Sequence, residues 1–152
     1  MKQVVPDETA MQALGRRLAG PAARPGVVYL QGELGTGKTT LVRSLLRGLG
    51  YHDKVRSPTY TLVELYPLDG LSVYHLDLYR LADPGELEWL GIRDLLTDDV
   101  LLLVEWPERG AGLLPQADLV IELAYRDGGG RAVTLQALTD RGREMTARLG
   151  GE

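Results

Sequence analysis

One stretch constrains this chain more than any other: Gly32-Glu33-Leu34-Gly35-Thr36-Gly37-Lys38-Thr39-Thr40, entered from the short apolar run Val27-Val28-Tyr29-Leu30-Gln31. It reads Gly-x-x-x-x-Gly-Lys-Thr, the pattern of a phosphate-binding loop set between a strand and a helix. Gly32, Gly35 and Gly37 allow backbone angles and approaches that a Cβ would block. The N–H groups from Gly32 through Leu34 and Thr36 to Thr40 can therefore converge on phosphate oxygens. Lys38 brings a compact positive charge to the β- and γ-phosphates, and Thr39 offers a hydroxyl to Mg²⁺. Leu41, Leu45 and Leu49 follow at helical spacing, so the positive end of a helix dipole faces the same phosphates. The stretch predicts a nucleoside triphosphate site.

The rest of the chain is read around that site. Its 152 residues predict one domain with a real core. A net charge of −4 gives no footing for a dedicated nucleic-acid surface. With no Cys there is neither a disulfide nor a thiolate metal site. No apolar run approaches bilayer length and the N-terminus lacks an apolar signal core, so a cytoplasmic location is expected.

Pro6-Asp7-Glu8-Thr9 predicts a helix start, with Met11, Leu14 and Leu18 on one face and Gly20-Pro21 as the stop. The strand at residues 27–31 is expected to be the first. Alternation over residues 59–66, the Asp69-Gly70 turn and residues 71–77 predict a hairpin. Asp83-Pro84-Gly85-Glu86 starts another helix. Residues 100–104 are apolar throughout, as in a strand covered on both faces. Residues 118–125 and 131–138 form a second hairpin, and a helix over about residues 140–149 ends the chain. The expectation is a three-layer α/β domain of P-loop NTPase type with a mixed sheet.

A P-loop ATPase also needs carboxylates opposite the loop, at the C-terminal ends of neighbouring strands. Asp77 and Glu105 both end predicted strands, and Glu105 follows the most apolar one, the usual setting of a Walker B acid. Together with Lys38 they form the predicted catalytic set, with Thr39 and Glu105 as metal ligands. Ser57-Pro58-Thr59-Tyr60-Thr61 falls where phosphate-sensing loops lie, which makes Ser57, Thr59 and Thr61 switch-like candidates. His75, a lone histidine on a strand, is expected to be packed rather than catalytic, and Arg80 to be structural. Trp106 is placed near the nucleotide by its neighbour Glu105.

Four motifs in order resemble the TsaE (YjeE) family of bacterial ATPases of tRNA threonylcarbamoyladenosine biosynthesis. They are the loop at residues 32–40, Ser57-Pro58-Thr59-Tyr60-Thr61-Leu62-Val63-Glu64, Tyr74-His75-Leu76-Asp77-Leu78-Tyr79-Arg80-Leu81-Ala82-Asp83-Pro84, and Leu103-Val104-Glu105-Trp106-Pro107. The resemblance runs from Pro6 to about Arg131. It implies ATP and Mg²⁺ at residues 32–40, Thr39 and Glu105 on the metal, Asp77 in the hydrolytic step, a functional Trp106 and a nucleotide-side contact from Arg131. It also implies partners, TsaB and TsaD, which transfer threonylcarbamoyl to adenosine 37 of tRNA, with tRNA contact indirect. Glu33, Thr36 and Leu76 stand where the family commonly has Asp, Ala and Phe, and Met11 where Thr is frequent.

Other readings compete. A small-molecule kinase would use Asp77 as base but usually brings an arginine-rich lid, and between Arg56 and Glu105 only Arg80 and Arg93 occur. A GTPase lacks its guanine-reading Asn/Thr-Lys-x-Asp here. A nucleotide-dependent docking module, in which hydrolysis is incidental, is the third.

Overall fold

A computed structural model of the chain describes residues 1–22, 24–56, 62–83, 85–89, 91–95, 99–147 and 149. The switch-like candidates Ser57, Thr59 and Thr61 lie outside these residues. Seven strands form one sheet: β1 (Lys2–Val5), β2 (Gly26–Gln31), β3 (Val63–Leu68), β4 (Leu71–Asp77), β5 (Val100–Glu105), β6 (Leu119–Tyr125) and β7 (Arg131–Ala137). Their order is β1-β7-β6-β2-β5-β4-β3. β2 runs parallel to both β5 and β6, and β4 parallel to β5. The β3–β4, β6–β7 and β1–β7 pairs are antiparallel. The sheet is mixed, as expected, and its four parallel strands end on one side of the molecule.

Helices cover both faces. Val28, Leu30, Leu101 and Leu103 pack with Leu14 and Leu18 of α1 (Glu8–Ala22) and Leu41 and Leu45 of α2 (Lys38–Gly48). Val27, Leu102 and Val104 point the other way, to Leu87 of α3 (Gly85–Trp89) and Ile92 of α4 (Ile92–Leu95). Every residue of β5 is buried, as its unbroken apolar run requires. The layering is that of the P-loop NTPase-like fold.

Three expectations change. The sheet does not begin at residue 27, because Lys2–Val5 pairs with β7. Helix α1 does not stop at Gly20-Pro21 but continues to Ala22. Proline in the last turn forfeits a single backbone bond. Arg141 of α5 (Asp140–Thr146) closes that end, donating to the carbonyls of Pro21, Arg24 and Pro25 at 2.9, 2.9 and 2.7 Å. The helix predicted after Asp83 is two short ones with Gly91, at φ 64°, between them. Its expected start is present in part: Gly85 N–H donates to Asp83 Oδ1 at 3.0 Å, and Ala82 N–H to Glu86 Oε2 at 3.1 Å.

The approach of α1 to α2 fixes the seat of the phosphate-loop helix. A Cβ on Gly15 would lie 2.6 Å from Ser44 Cβ and 2.9 Å from the Leu41 carbonyl oxygen, and one on Gly48 would lie 2.5 Å from Ala19 Cβ. Gly15→Ala gains up to about 1 kcal/mol of helix propensity. It must also push two helices apart against backbone atoms, which costs about 1–3 kcal/mol. A lower melting temperature is expected, by several degrees. An unchanged or raised melting temperature would show that the helices separate freely.

Candidate functional site

The C-terminal ends of β2, β4 and β5 bring the predicted residues together. After β2 the chain turns through Gly32 at φ 150°, Gly35 at 80° and Gly37 at 109° before entering α2. A Cβ on Gly32 would meet the Leu123 carbonyl oxygen at 2.5 Å, so glycine is required there by contact as well as by conformation. Thr36 is buried, and its hydroxyl donates to the Glu33 carbonyl at 2.8 Å, tying the loop across its width. Leu34 lies at the exposed tip. Its carbonyl accepts from the Tyr125 hydroxyl. Thr39 and Thr40 open α2, half-buried.

Lys38 is 5% exposed. Its Nζ donates to the Gly32 carbonyl and lies 3.9 Å from the ring centre of Trp106. Burial lowers its pKa, while Glu105, Asp77 and Glu108, in that order, oppose the shift. Glu105 and Asp77 are direct register partners of the parallel β4–β5 pair. Both predicted carboxylates thus stand side by side with the lysine. Burial pushes the Asp77 carboxyl above the usual carboxylate range, the Tyr79 N–H pulls it down, and Glu105 adds to the rise. A raised pKa makes Asp77 a better proton acceptor than an ordinary aspartate.

Trp106 sits at φ 56°, a left-handed conformation costly for a bulky residue. The turn aims its indole at Lys38 and at Tyr79, whose ring centre is 5.0 Å away. On the opposite shoulder Arg131 donates to the Gly35 carbonyl at 3.2 Å and stacks 4.5 Å over the Tyr125 ring. The start of α1 borders the same region: Pro6, Asp7, Met11, Gly35, Thr40 and Arg131 line an open cleft of about 290 Å³.

Two site features escaped the sequence reading. Tyr125 braces the loop from β6. His75, expected only to be packed, is indeed buried but forms a 2.6 Å bond from Nε2 to Glu105 Oε2. The His75-x-Asp77 spacing held the signal, since alternate strand residues share a face.

The raised Asp77 pKa has a consequence for stability. The folded protein holds that proton more tightly than the unfolded chain does. The contribution is therefore full below the ordinary carboxylate pKa and is lost as pH rises through the raised folded value. At neutral pH the buried carboxylate is a cost. Asp77→Asn, which can still accept from the Tyr79 N–H, should melt about 2 °C higher at pH 7. The difference should close as pH falls to the ordinary carboxylate range. Calorimetric melts across that range check it, and a variant that melts lower at pH 7 contradicts it.

The family model described as threonylcarbamoyl adenosine biosynthesis protein TsaE matches residues 5–133. The chain belongs to the TsaE family. A relative from Haemophilus influenzae, a tRNA threonylcarbamoyladenosine biosynthesis protein TsaE, is 45% identical over 95% of this chain and 94% of its own. One of the same description from Bacillus subtilis is 36% identical over 92% and 86%. The crystal structure of Bacillus subtilis YdiB superposes with a TM-score of 0.80 at 27% identity, covering 98% of this chain and 93% of that one. A TsaE-family chain is a component of tRNA threonylcarbamoyladenosine biosynthesis. Among the described residues, no helix is long and apolar enough to cross a membrane.

Proposed function

We propose that this TsaE-family chain is a cytoplasmic Mg²⁺-dependent ATPase. In this reading it supports threonylcarbamoyl transfer to adenosine 37 of tRNA by TsaB and TsaD, with no membrane role. The observation that carries it is the convergence of Lys38, Asp77 and Glu105 at the mouth of the glycine loop.

Gly32, Leu34, Gly35, Thr36, Gly37, Lys38, Thr39 and Thr40 cradle the phosphates, with Lys38 supplying the charge. Trp106 and Arg131 hold the two shoulders of that cradle, Arg131 toward the cleft at the start of α1. The donor set suits Mg²⁺: the Thr39 hydroxyl and the Glu105 carboxylate are hard oxygen ligands. Among the described residues, no group of three or more His, Asp or Glu forms a metal cage. That agrees with an ion held by one or two protein oxygens and the nucleotide's own phosphates. Mg²⁺ would neutralise charge on the transferring phosphoryl group. Asp77 orients the attacking water and accepts its proton, aided by its raised pKa.

Reconstitution of the tRNA modification with TsaB and TsaD, with and without this chain, tests the role. Phosphate release measured beside a screen of small hydroxyl acceptors tests the reaction. Modification that does not depend on this chain rejects the first, and phosphate transferred to an acceptor in place of water rejects the second in favour of a kinase.

A further inference from the structure

The side chains of Val73, His75 and Asp77 alternate onto the sheet face that α1 and α2 cover, together with Leu101, Leu103 and Glu105. His75 pairs laterally with Leu103, one step deeper than the Asp77–Glu105 pair. Its ring therefore lies under the mouth of the site. Glu105 leans back across the diagonal, and its Oε2 meets His75 Nε2 at 2.6 Å. The His75 side chain is 1% exposed and that of Glu105 4%.

We propose that His75 is a positioning residue that holds the Glu105 carboxylate in the orientation needed for its metal-shell role; this rests on the Mg²⁺-ATP reading above. A glutamate at a strand end has three side-chain torsions, and its entropy must be spent before it can serve as a ligand. The buried bond spends it during folding. Fixing Oε2 also fixes the direction of Oε1, so the carboxylate is set before any ligand arrives.

The second ring nitrogen says which proton makes the bond. Among the described residues, His75 Nδ1 is buried with no hydrogen-bond partner. A buried unpaired N–H is rarer and costlier than a bare acceptor. The arrangement that leaves no buried N–H unpaired has Nε2–H donating to Glu105 Oε2, with Nδ1 as a lone pair.

Two polar substitutions separate reach from packing. His75→Gln places an amide N–H near the former Nε2 and keeps the donor, whereas His75→Asn is shorter and cannot span the gap to Glu105. The readout is binding of a fluorescent ATP analogue titrated with Mg²⁺ and, separately, in EDTA. His75→Asn should need about ten times more Mg²⁺ for half-maximal binding, at the low end of losses for groups that orient metal ligands. Affinity in EDTA should be unchanged for both variants, and His75→Gln should stay within about twofold of wild type. Equal Mg²⁺ demand in wild type and both variants overturns the proposal, and so does an equal loss in Gln and Asn. Wild-type protein that binds no Mg²⁺-ATP overturns the functional reading and this inference with it. If the Asn variant does not fold, ¹⁵N NMR of the wild-type histidine decides. A proton on Nε2 and none on Nδ1 supports the assignment, whereas the Nδ1–H tautomer overturns it.

Discussion

Lys38→Ala should lower ATP affinity by roughly 100-fold, from two lost charge-assisted hydrogen bonds at about 1.5 kcal/mol each. The lysine is nearly covered, with three carboxylates acting on it and a tryptophan face against its ammonium. Little water remains to screen the charge, so its removal is felt by the phosphates in full. The fold should tolerate the change. Burial of the ammonium already costs stability, as its lowered pKa shows, and alanine is a strong helix former for the first turn of α2. Calorimetric titration with Mg²⁺-ATP, beside a thermal melt, separates the two effects. Equal affinity in wild type and variant would remove the phosphate site from the glycine loop.

The second large effect concerns turnover. The isolated chain should release phosphate about 10³–10⁵ times more slowly than a completed site, the span attributed to a missing arginine finger. Among the described residues, Arg131 has two of its donors on the Gly35 and Gly130 carbonyls, and Arg109 lies 5.5 Å over the Tyr79 ring. Neither is placed to reach charge developing between Lys38 and Asp77 without leaving those contacts. A partner surface would supply what is lacking and so tie hydrolysis to assembly. Steady-state phosphate release for the chain alone, with TsaB and TsaD, and with tRNA added, measures this. Rates of about 1–100 s⁻¹ without partners would mean that the site is self-sufficient.

How much of this was written in the sequence varies by residue. The loop was legible because three glycines, a lysine and a threonine have to be adjacent in the chain to do their work. The fold class followed from an apolar β5 and two hairpin turns. Asp77 and Glu105 were each legible as strand ends, but their pairing depends on the parallel register of β4 and β5, and no spacing along the chain encodes that. The His75-x-Asp77 spacing puts His75 on the face of Asp77, but its bond to Glu105 depends on the same cross-strand register. Strand β1 is four residues long with no alternation, and only β7, more than a hundred residues later, makes it a strand. The left-handed Trp106 gives no local sign at all, since glycine or asparagine is the residue that usually marks such a turn.

The position of β2 at the centre of the sheet also sets an order of events at the ribosome. Both neighbours of the strand that carries the phosphate loop, β5 and β6, are encoded far downstream of it. Translation from the end of α2 to the end of β6 takes several seconds at about 5–20 residues per second. During that interval Val27, Val28 and Leu30 have no sheet to enter. Non-local parallel pairing is slow even afterwards. The nascent chain therefore passes through a stage in which the apolar residues of β2 lack both of their sheet neighbours. A truncated product ending before β5 would carry the glycine motif without either strand that flanks β2.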